Sequence, residues 1–287
     1  MSYHTLQKLV VRMLFDEAFV EQVYREPDQL LSKLDLSDQE RQQLLGVDKR
    51  AWRYDPLRKK RTLRALFEEF KVSTTIALAE TRSLASLDLF FSSQAFHSAV
   101  QERSSMGLAF AKFLTEKYSS GELKTPQLPD VIRFEATLAK CRRSLATSAP
   151  KESELPKTIS EFARVQLAAG VAVGSFQSNL IKVVQAVEQY LFEVSLMPAM
   201  VLCEDAAKLD NLPAVDTKKK AYLLFLPGGS GITLVNIEKS DYLLLFEAKR
   251  PLTIKELILK ATVAGVKKAK AEAIVSEALQ QVYLTVT

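Results

Sequence analysis

Residues 221–257 read AYLLFLPGGSGITLVNIEKSDYLLLFEAKRPLTIKEL, and the fold turns on this stretch. Tyr222 to Leu226 and Ile232 to Ile237 are β-rich runs joined by Pro227-Gly-Gly-Ser-Gly231, a spacing that predicts a hairpin. A phosphate cradle needs a Lys-Ser/Thr pair and a helix start after its glycines, whereas Ile232, Thr233, Leu234 and Val235 follow here. Three helices are expected next. Ser240 is placed to cap the first, near Asp241 to Ala248. Thr253 and Glu256 have the spacing of a capping box, with Leu252 and Leu257 as its hydrophobic staple. The third runs from about Lys267 to Gln281, and Tyr283 to Val286 return as a terminal strand.

A hairpin with three short helices is a winged-helix-like composition. Ahead of it, Phe162 to Phe176 reads as two extended segments turning at Ala169-Gly170, and Leu180 to Val194 is helix-compatible until Pro198. The segment Thr147 to Lys157 (TSAPKESELPK) reads as a linker, having two prolines, four charges and no aromatic residue. Everything before it is helical in pattern. Leu6, Leu9, Val10, Met13 and Leu14 mark one buried face, and Leu63, Leu66, Phe67 and Phe70 a second. Met106, Phe110, Phe113 and Leu114 mark a third, and Val131, Phe134, Leu138, Cys141 and Leu145 a fourth. Pro27 ends the first helix or begins the next turn, Ser37 and Glu40 form a capping box, and Ser83, Ser92, Ser93, Ser104 and Ser105 supply caps and turns. The expected class is α+β: an all-α domain over 1–149, then a smaller winged-helix-like α+β domain over 158–287.

Composition agrees with a folded chain. Of 287 residues, 47% are hydrophobic and 25% charged, which excludes disorder as the main state. The longest uncharged stretch, Val165 to Ile181, is broken by Gln, Ser and Asn, so no membrane span is expected. The N-terminus lacks a signal-peptide pattern, and a cytoplasmic location is the expectation. Cys141 and Cys203 lie far apart without CxxC spacing and read as a reduced pair. With only His4 and His97, a self-contained metal site or histidine-based nucleophilic catalysis has little to build on. His97, near Ser92, Ser93 and Ser98, reads as structural. The acidic pairs Asp16-Glu17, Glu68-Glu69 and Glu204-Asp205 are adjacent in sequence, so on a helix their carboxylates diverge.

The net charge of +5 is concentrated at Lys49, Arg50, Arg53, Arg58, Lys59, Lys60, Arg61 and Arg64, with Trp52 and Tyr54 interleaved. Three readings stay open: a solvated helix face, a nucleic-acid surface, or a docking surface for an acidic protein with Trp52 and Arg53 as contacts.

Three segments carry a resemblance. Phe19 to Val47, FVEQVYREPDQLLSKLDLSDQERQQLLGV, looks like the small helical domain of LigA-type dioxygenase subunits and of several peptide-modification partners. Leu128-Pro-Asp-Val-Ile-Arg-Phe-Glu-Ala-Thr-Leu138 resembles the Pro-x-Leu-x-Asp-Leu-Ala-Arg-x-Glu helix of proteins that accompany multinuclear non-haem iron oxidases of ribosomal-peptide (RiPP) biosynthesis, methanobactin biosynthesis among them. Ala221 to Leu284 is similar to the C-terminal domain of the same partners, a relative of RiPP recognition elements. The resemblance implies a non-catalytic subunit with no cofactor of its own. Its partner, a TIM-barrel oxidase, would hold the iron, and this chain would bind the oxidase and the leader of a precursor peptide. Arg133 and Glu135 stand where that helix keeps its charges, and join Trp52 and Arg53 as candidate interface residues. Tyr222, Leu224, Leu226, Thr233 and Val235 of the hairpin are the candidate edge for an added peptide strand.

Two other functions fit the pattern. One is a winged-helix DNA-binding regulator using Lys267, Lys268 and Lys270, although that helix is rich in alanine (Ala269, Ala271, Ala273) and poor in base-reading side chains. The other is an accessory subunit of a ring-cleaving dioxygenase. No membrane partner is expected, and nucleic acid is the weaker expectation.

Overall fold

The computed structural model describes residues 3–53, 55, 57–147, 160–196, 209, 212–216, 218–228 and 231–286. Tyr54, Cys203, the pair Glu204-Asp205, Pro198 and most of the expected linker lie outside the described residues. The chain divides into two compact units, Met1–Ile132 and Arg133–Thr287.

Every regular element among the described residues of the first unit is a helix. It comprises α1 (Tyr3–Phe15), α2 (Glu17–Arg25), α3 (Pro27–Leu31), α4 (Asp38–Gly46), α5 (Arg58–Glu69), α6 (Lys71–Thr81), α7 (Leu84–Asp88), α8 (Gln94–Gln101), α9 (Met106–Ser119) and the start of α10 (Leu128–Thr147), with 3-10 turns at Lys49–Arg53 and Leu89–Ser92. Local signals set the starts. Asp16 caps α2 by accepting from the Phe19 amide at 3.0 Å, and Pro27 occupies the first turn of α3, where no amide is needed. The expected Ser37–Glu40 capping box opens α4. Ser93 and Ser105 cap α8 and α9. Two apolar groups stand out among the described residues. Leu9, Met13, Phe19, Val20, Val23, Leu31, Leu36 and Leu44 form one. In the other, Phe90 meets Phe110, Phe96, Phe91 and Phe113 at centroid distances of 5.1, 5.3, 5.6 and 5.6 Å. Such tilted and edge-on pairs add to the large area each ring removes from water.

The second unit mixes helix and sheet. After the rest of α10 come β1 (Arg164–Leu167), β2 (Ala172–Gln177), α11 (Leu180–Leu196), β3 (Lys220–Gly228), β4 (Gly231–Ile237), α12 (Lys239–Glu247), β5 (Leu252–Thr253), α13 (Ile254–Val263), α14 (Lys268–Gln280) and β6 (Leu284–Val286). The strands form two antiparallel three-stranded sheets, in the orders β5-β1-β6 and β2-β3-β4. The expected hairpin is therefore real and α12 packs on its sheet, yet the strands beside α13 and α14 belong to the other sheet. Its outer neighbour is β2, in the register Val173–Leu224 and Ser175–Tyr222. The two extended segments at 164–177 do not pair with each other. Gly170 turns the chain between them at φ +77°, where a Cβ would also stand 2.4 Å from Leu145 Cγ, so both backbone and space call for glycine.

The division between units falls inside α10, upstream of the Pro-containing stretch expected to mark it. Phe134 explains why. Its ring lies 5.9 Å from Phe176 and 5.7 Å from Phe225, which ties this part of α10 to the β2-β3-β4 sheet. On the opposite face of that sheet Val173 and Leu224 join Leu244, Leu245 and Ala248 of α12 in the unit's main core. The core extends through Leu257, Ala261, Ala271, Val275 and Ala278, small residues letting α13 and α14 approach closely. The Thr253–Glu256 capping box starts α13 as expected. Ser240, in contrast, does not cap α12. Glu238 does, with Asp241 reciprocating, and Ser240 sits inside the helix and donates to Glu238 at 3.3 Å. No helix among the described residues is long and apolar enough to cross a membrane.

Candidate functional site

The β2-β3-β4 sheet exposes an open strand edge, and the ladder fixes which groups line it. The Ser178 amide donates to the Lys219 carbonyl at 3.2 Å, so the exchanging pairs between β2 and β3 recur every second residue from there: Phe176–Ala221, Gly174–Leu223 and Ala172–Phe225. The polar backbone groups of Tyr222, Leu224 and Leu226 then point the other way, at Ile237, Val235 and Thr233. Continuing the alternation, Ile232, Leu234 and Asn236 aim their N–H and C=O groups away from β3. No strand among the described residues pairs there. Pro227 fits this phase, because its missing N–H falls opposite Ile232 on a pair that exchanges no bonds.

The candidate residues therefore separate. Tyr222, Leu224 and Leu226 lie on the interior strand, the first two paired on both sides and Leu226 with Thr233 of β4, and Leu224 is only 2% exposed. Tyr222 stacks on Tyr242 of α12 with centroids 5.0 Å apart, and burial raises the Tyr242 hydroxyl above its ordinary pKa. Thr233 and Val235 are on the edge strand and exposed, but their amides face inward. The groups able to receive another strand are those of Ile232, Leu234 and Asn236, which the sequence reading passed over. A signal for them existed. The β3 run YLLFL is unbroken apolar, as for a strand covered on both faces, whereas ITLVNI mixes Thr and Asn into β4.

The other side of the sheet is occupied by the chain itself. Arg133 donates to the Ser175 carbonyl on β2 at 2.6 Å and lies 5.0 Å over the Phe176 ring. Glu135 is 5% exposed, so its carboxylate faces the interior. Trp52 and Arg53 are similarly engaged. Trp52 Nε1 donates to the Tyr24 hydroxyl at 2.9 Å, and Tyr24 donates on to the Val47 carbonyl at 2.5 Å. Arg53 and Lys49 hold opposite oxygens of Glu21, at 2.8 and 2.5 Å. The Lys49 hydrogen bond, helped by the charges of Lys49, Arg53 and Arg25, keeps the Glu21 carboxyl below its ordinary value.

Carboxylates answer much of the rest of the basic run. Lys59 meets Asp88 at 3.1 Å, Arg58 and Arg61 meet Asp55, and Arg64 meets Glu68 at 3.1 Å. A cleft of about 450 Å³ lies beside it, lined by Trp52, Arg53, Lys59, Asp16, Asp55 and Asp88 among others. Both charge signs share that lining, so it is not a polyanion track. In α14 Lys270 meets Glu238 at 2.5 Å and Lys268 meets Glu272 at 3.8 Å. Those lysines, expected in a DNA-reading helix, spend charge on their own chain. Cys141 is buried, and desolvation pushes its thiol up to about 11, which suits a packed side chain and not a nucleophile. Among the described residues no three His, Cys, Asp or Glu side chains gather as a group able to hold a metal ion.

No protein-family model matches the chain, and no curated protein matches it in sequence.

Proposed function

We propose that this chain is a non-catalytic partner subunit that presents a peptide by strand addition along β4. The single observation that carries the reading is the open, exposed edge of β4, seven residues long, on a sheet whose other strands are packed into the unit's core. Main-chain bonds to Ile232, Leu234 and Asn236 supply affinity without sequence preference. The partly exposed Leu234 and Val235 side chains, on opposite faces, contact alternate residues of the guest and set its register. The sequence resemblance gives the occupant: the leader of a ribosomally made precursor, delivered to a TIM-barrel non-haem iron oxidase in the cytoplasm, with the iron in the oxidase. The β5-β1-β6 sheet beside α13 and α14 supports a winged-helix-like recognition module, its central strand contributed from ahead of the helices. The ion-paired lysines of α14 speak against DNA as the ligand.

The test is reconstitution. The chain is co-expressed with a neighbouring oxidase gene and the short open reading frame beside it, and the precursor's mass is followed. Modification that requires the chain and is lost with Leu234→Pro supports the proposal. Full modification without the chain refutes it.

A further inference from the structure

The helical unit holds a second pocket, of about 370 Å³, within the size range of small-molecule sites and independent of the peptide-edge reading. Its lining divides by chemistry. Phe19, Leu30 and Leu34, from α2, α3 and the turn after α3, give an apolar floor, and Leu9 and Phe19 are anchored in the core beneath. Lys8 and Arg12, one turn apart on α1, bring the cations, and His97 of α8 faces them.

Arg12 is already placed. Its guanidinium lies 3.8 Å over the Phe19 ring and touches Asp16 through Nε at 3.4 Å. Asp16 is itself committed as the cap of α2 and also accepts from Ser92 at 3.3 Å. Lys8 and Arg12 against Asp16 leave one net positive charge at the pocket, which matches a monoanion better than a phosphate dianion. His97 Nδ1 is buried and has no hydrogen-bond partner among the described residues. Burial, then the charges of Arg12 and Lys8, hold the imidazole below its ordinary pKa, with Asp16 opposing. A neutral ring beside two cations is the state that an incoming anion would reverse.

From this geometry we infer that the pocket binds a small monocarboxylate with a short apolar tail, its head group between Lys8, Arg12 and His97 and its tail on Phe19, Leu30 and Leu34. The tail displaces water from the apolar floor, and the carboxylate takes charge-assisted hydrogen bonds where the protein offers donors without enough acceptors.

The experiment follows the His97 ring proton by NMR in the full chain. There are two histidines, so His97→Gln assigns the signal. The probes are octanoate, acetate (the head group alone) and octylammonium (the tail with reversed charge). Octanoate is expected to shift the signal saturably at about millimolar concentration or below and to raise the His97 pKa. Acetate and octylammonium at equal concentration are expected to leave it in place. Lys8→Gln and Arg12→Gln, checked for folding by circular dichroism, are each expected to weaken octanoate about tenfold, the worth of one hydrogen bond to a charged group. An unmoved His97 signal at about ten times that concentration overturns the inference, as does an equal response to acetate or octylammonium. Unchanged octanoate affinity in the folded Lys8→Gln variant overturns it too.

Discussion

Proline placed at Leu224 or at Leu234 separates an interior strand from an edge strand one residue pair away. Leu224 is 2% exposed, pairs with Val173 and Val235, and aims its amide at β4. Leu224→Pro deletes that donor and leaves a partner carbonyl unsatisfied in the ladder, at about 1–3 kcal/mol. Forcing a ring into the space filled by the leucine side chain adds about 1–3 kcal/mol. The sum, about 2–6 kcal/mol, is a large part of the roughly 5–15 kcal/mol that stabilises an ordinary domain. Leu234 is 36% exposed with its amide on the open edge, so Leu234→Pro breaks no ladder bond and is expected to cost within about 1 kcal/mol. Urea unfolding followed by far-UV circular dichroism reads the difference. With a slope of about 1–3 kcal/mol per molar, the two midpoints are expected to differ by about 0.3 M or more. Equal midpoints, or a larger loss at Leu234, would refute the assigned ladder phase and with it the identity of the edge.

Phe134→Ala removes a side chain 4% exposed that meets Phe176 and Phe225, and is expected to destabilise the second unit by about 3–5 kcal/mol in the same assay; a loss under about 1 kcal/mol contradicts the role given to this part of α10. In a Cys203→Ser background, Cys141 is expected to resist an aromatic disulfide reagent at about pH 8 until the protein unfolds, because its buried thiol ionises only near 11; rapid labelling of the folded chain contradicts this. Glu40 and Glu256 accept from the Ser37 and Thr253 amides, then from the hydroxyls, which holds both carboxyls below the ordinary 4.5. A group with a depressed folded pKa contributes its full stability above its unfolded value and loses it as pH falls through the folded one. In a His97→Gln background, which removes the group whose lowered folded pKa costs stability from about pH 6.5 downward, the urea midpoint is therefore expected to be flat down to about pH 5 and to decline below 4.5, and a midpoint unchanged at about pH 3 contradicts it.

Local chemistry was legible in the sequence and distant pairing was not. The Ser37–Glu40 and Thr253–Glu256 boxes depend on residues three apart, and both form as read. The cap of α12 was misplaced because Glu is a weak cap by type and Ser a strong one; Asp241, accepting from the Glu238 amide, tips the choice to Glu238. The hairpin's two strands were identified, but its edge was not, since that depends on β2 arriving from more than forty residues upstream to cover one side of β3. The basic run shows the same limit. Its charge was evident, while the carboxylates that answer Lys49, Arg53 and Lys59 come from Glu21 and Asp88, on other helices. His97 read as an isolated structural histidine because its cationic neighbours, Lys8 and Arg12, lie more than eighty residues away in sequence.

The most direct measurement is a fluorescence-polarisation titration of the dye-labelled leader of the proposed precursor peptide against the wild-type protein and the folded Leu234→Pro variant. Saturable binding by the wild type, weakened about tenfold or more by removing one outward amide from β4, is the predicted result. Equal affinity for the two proteins, or no binding to the wild type, would contradict a peptide-presenting role for this edge.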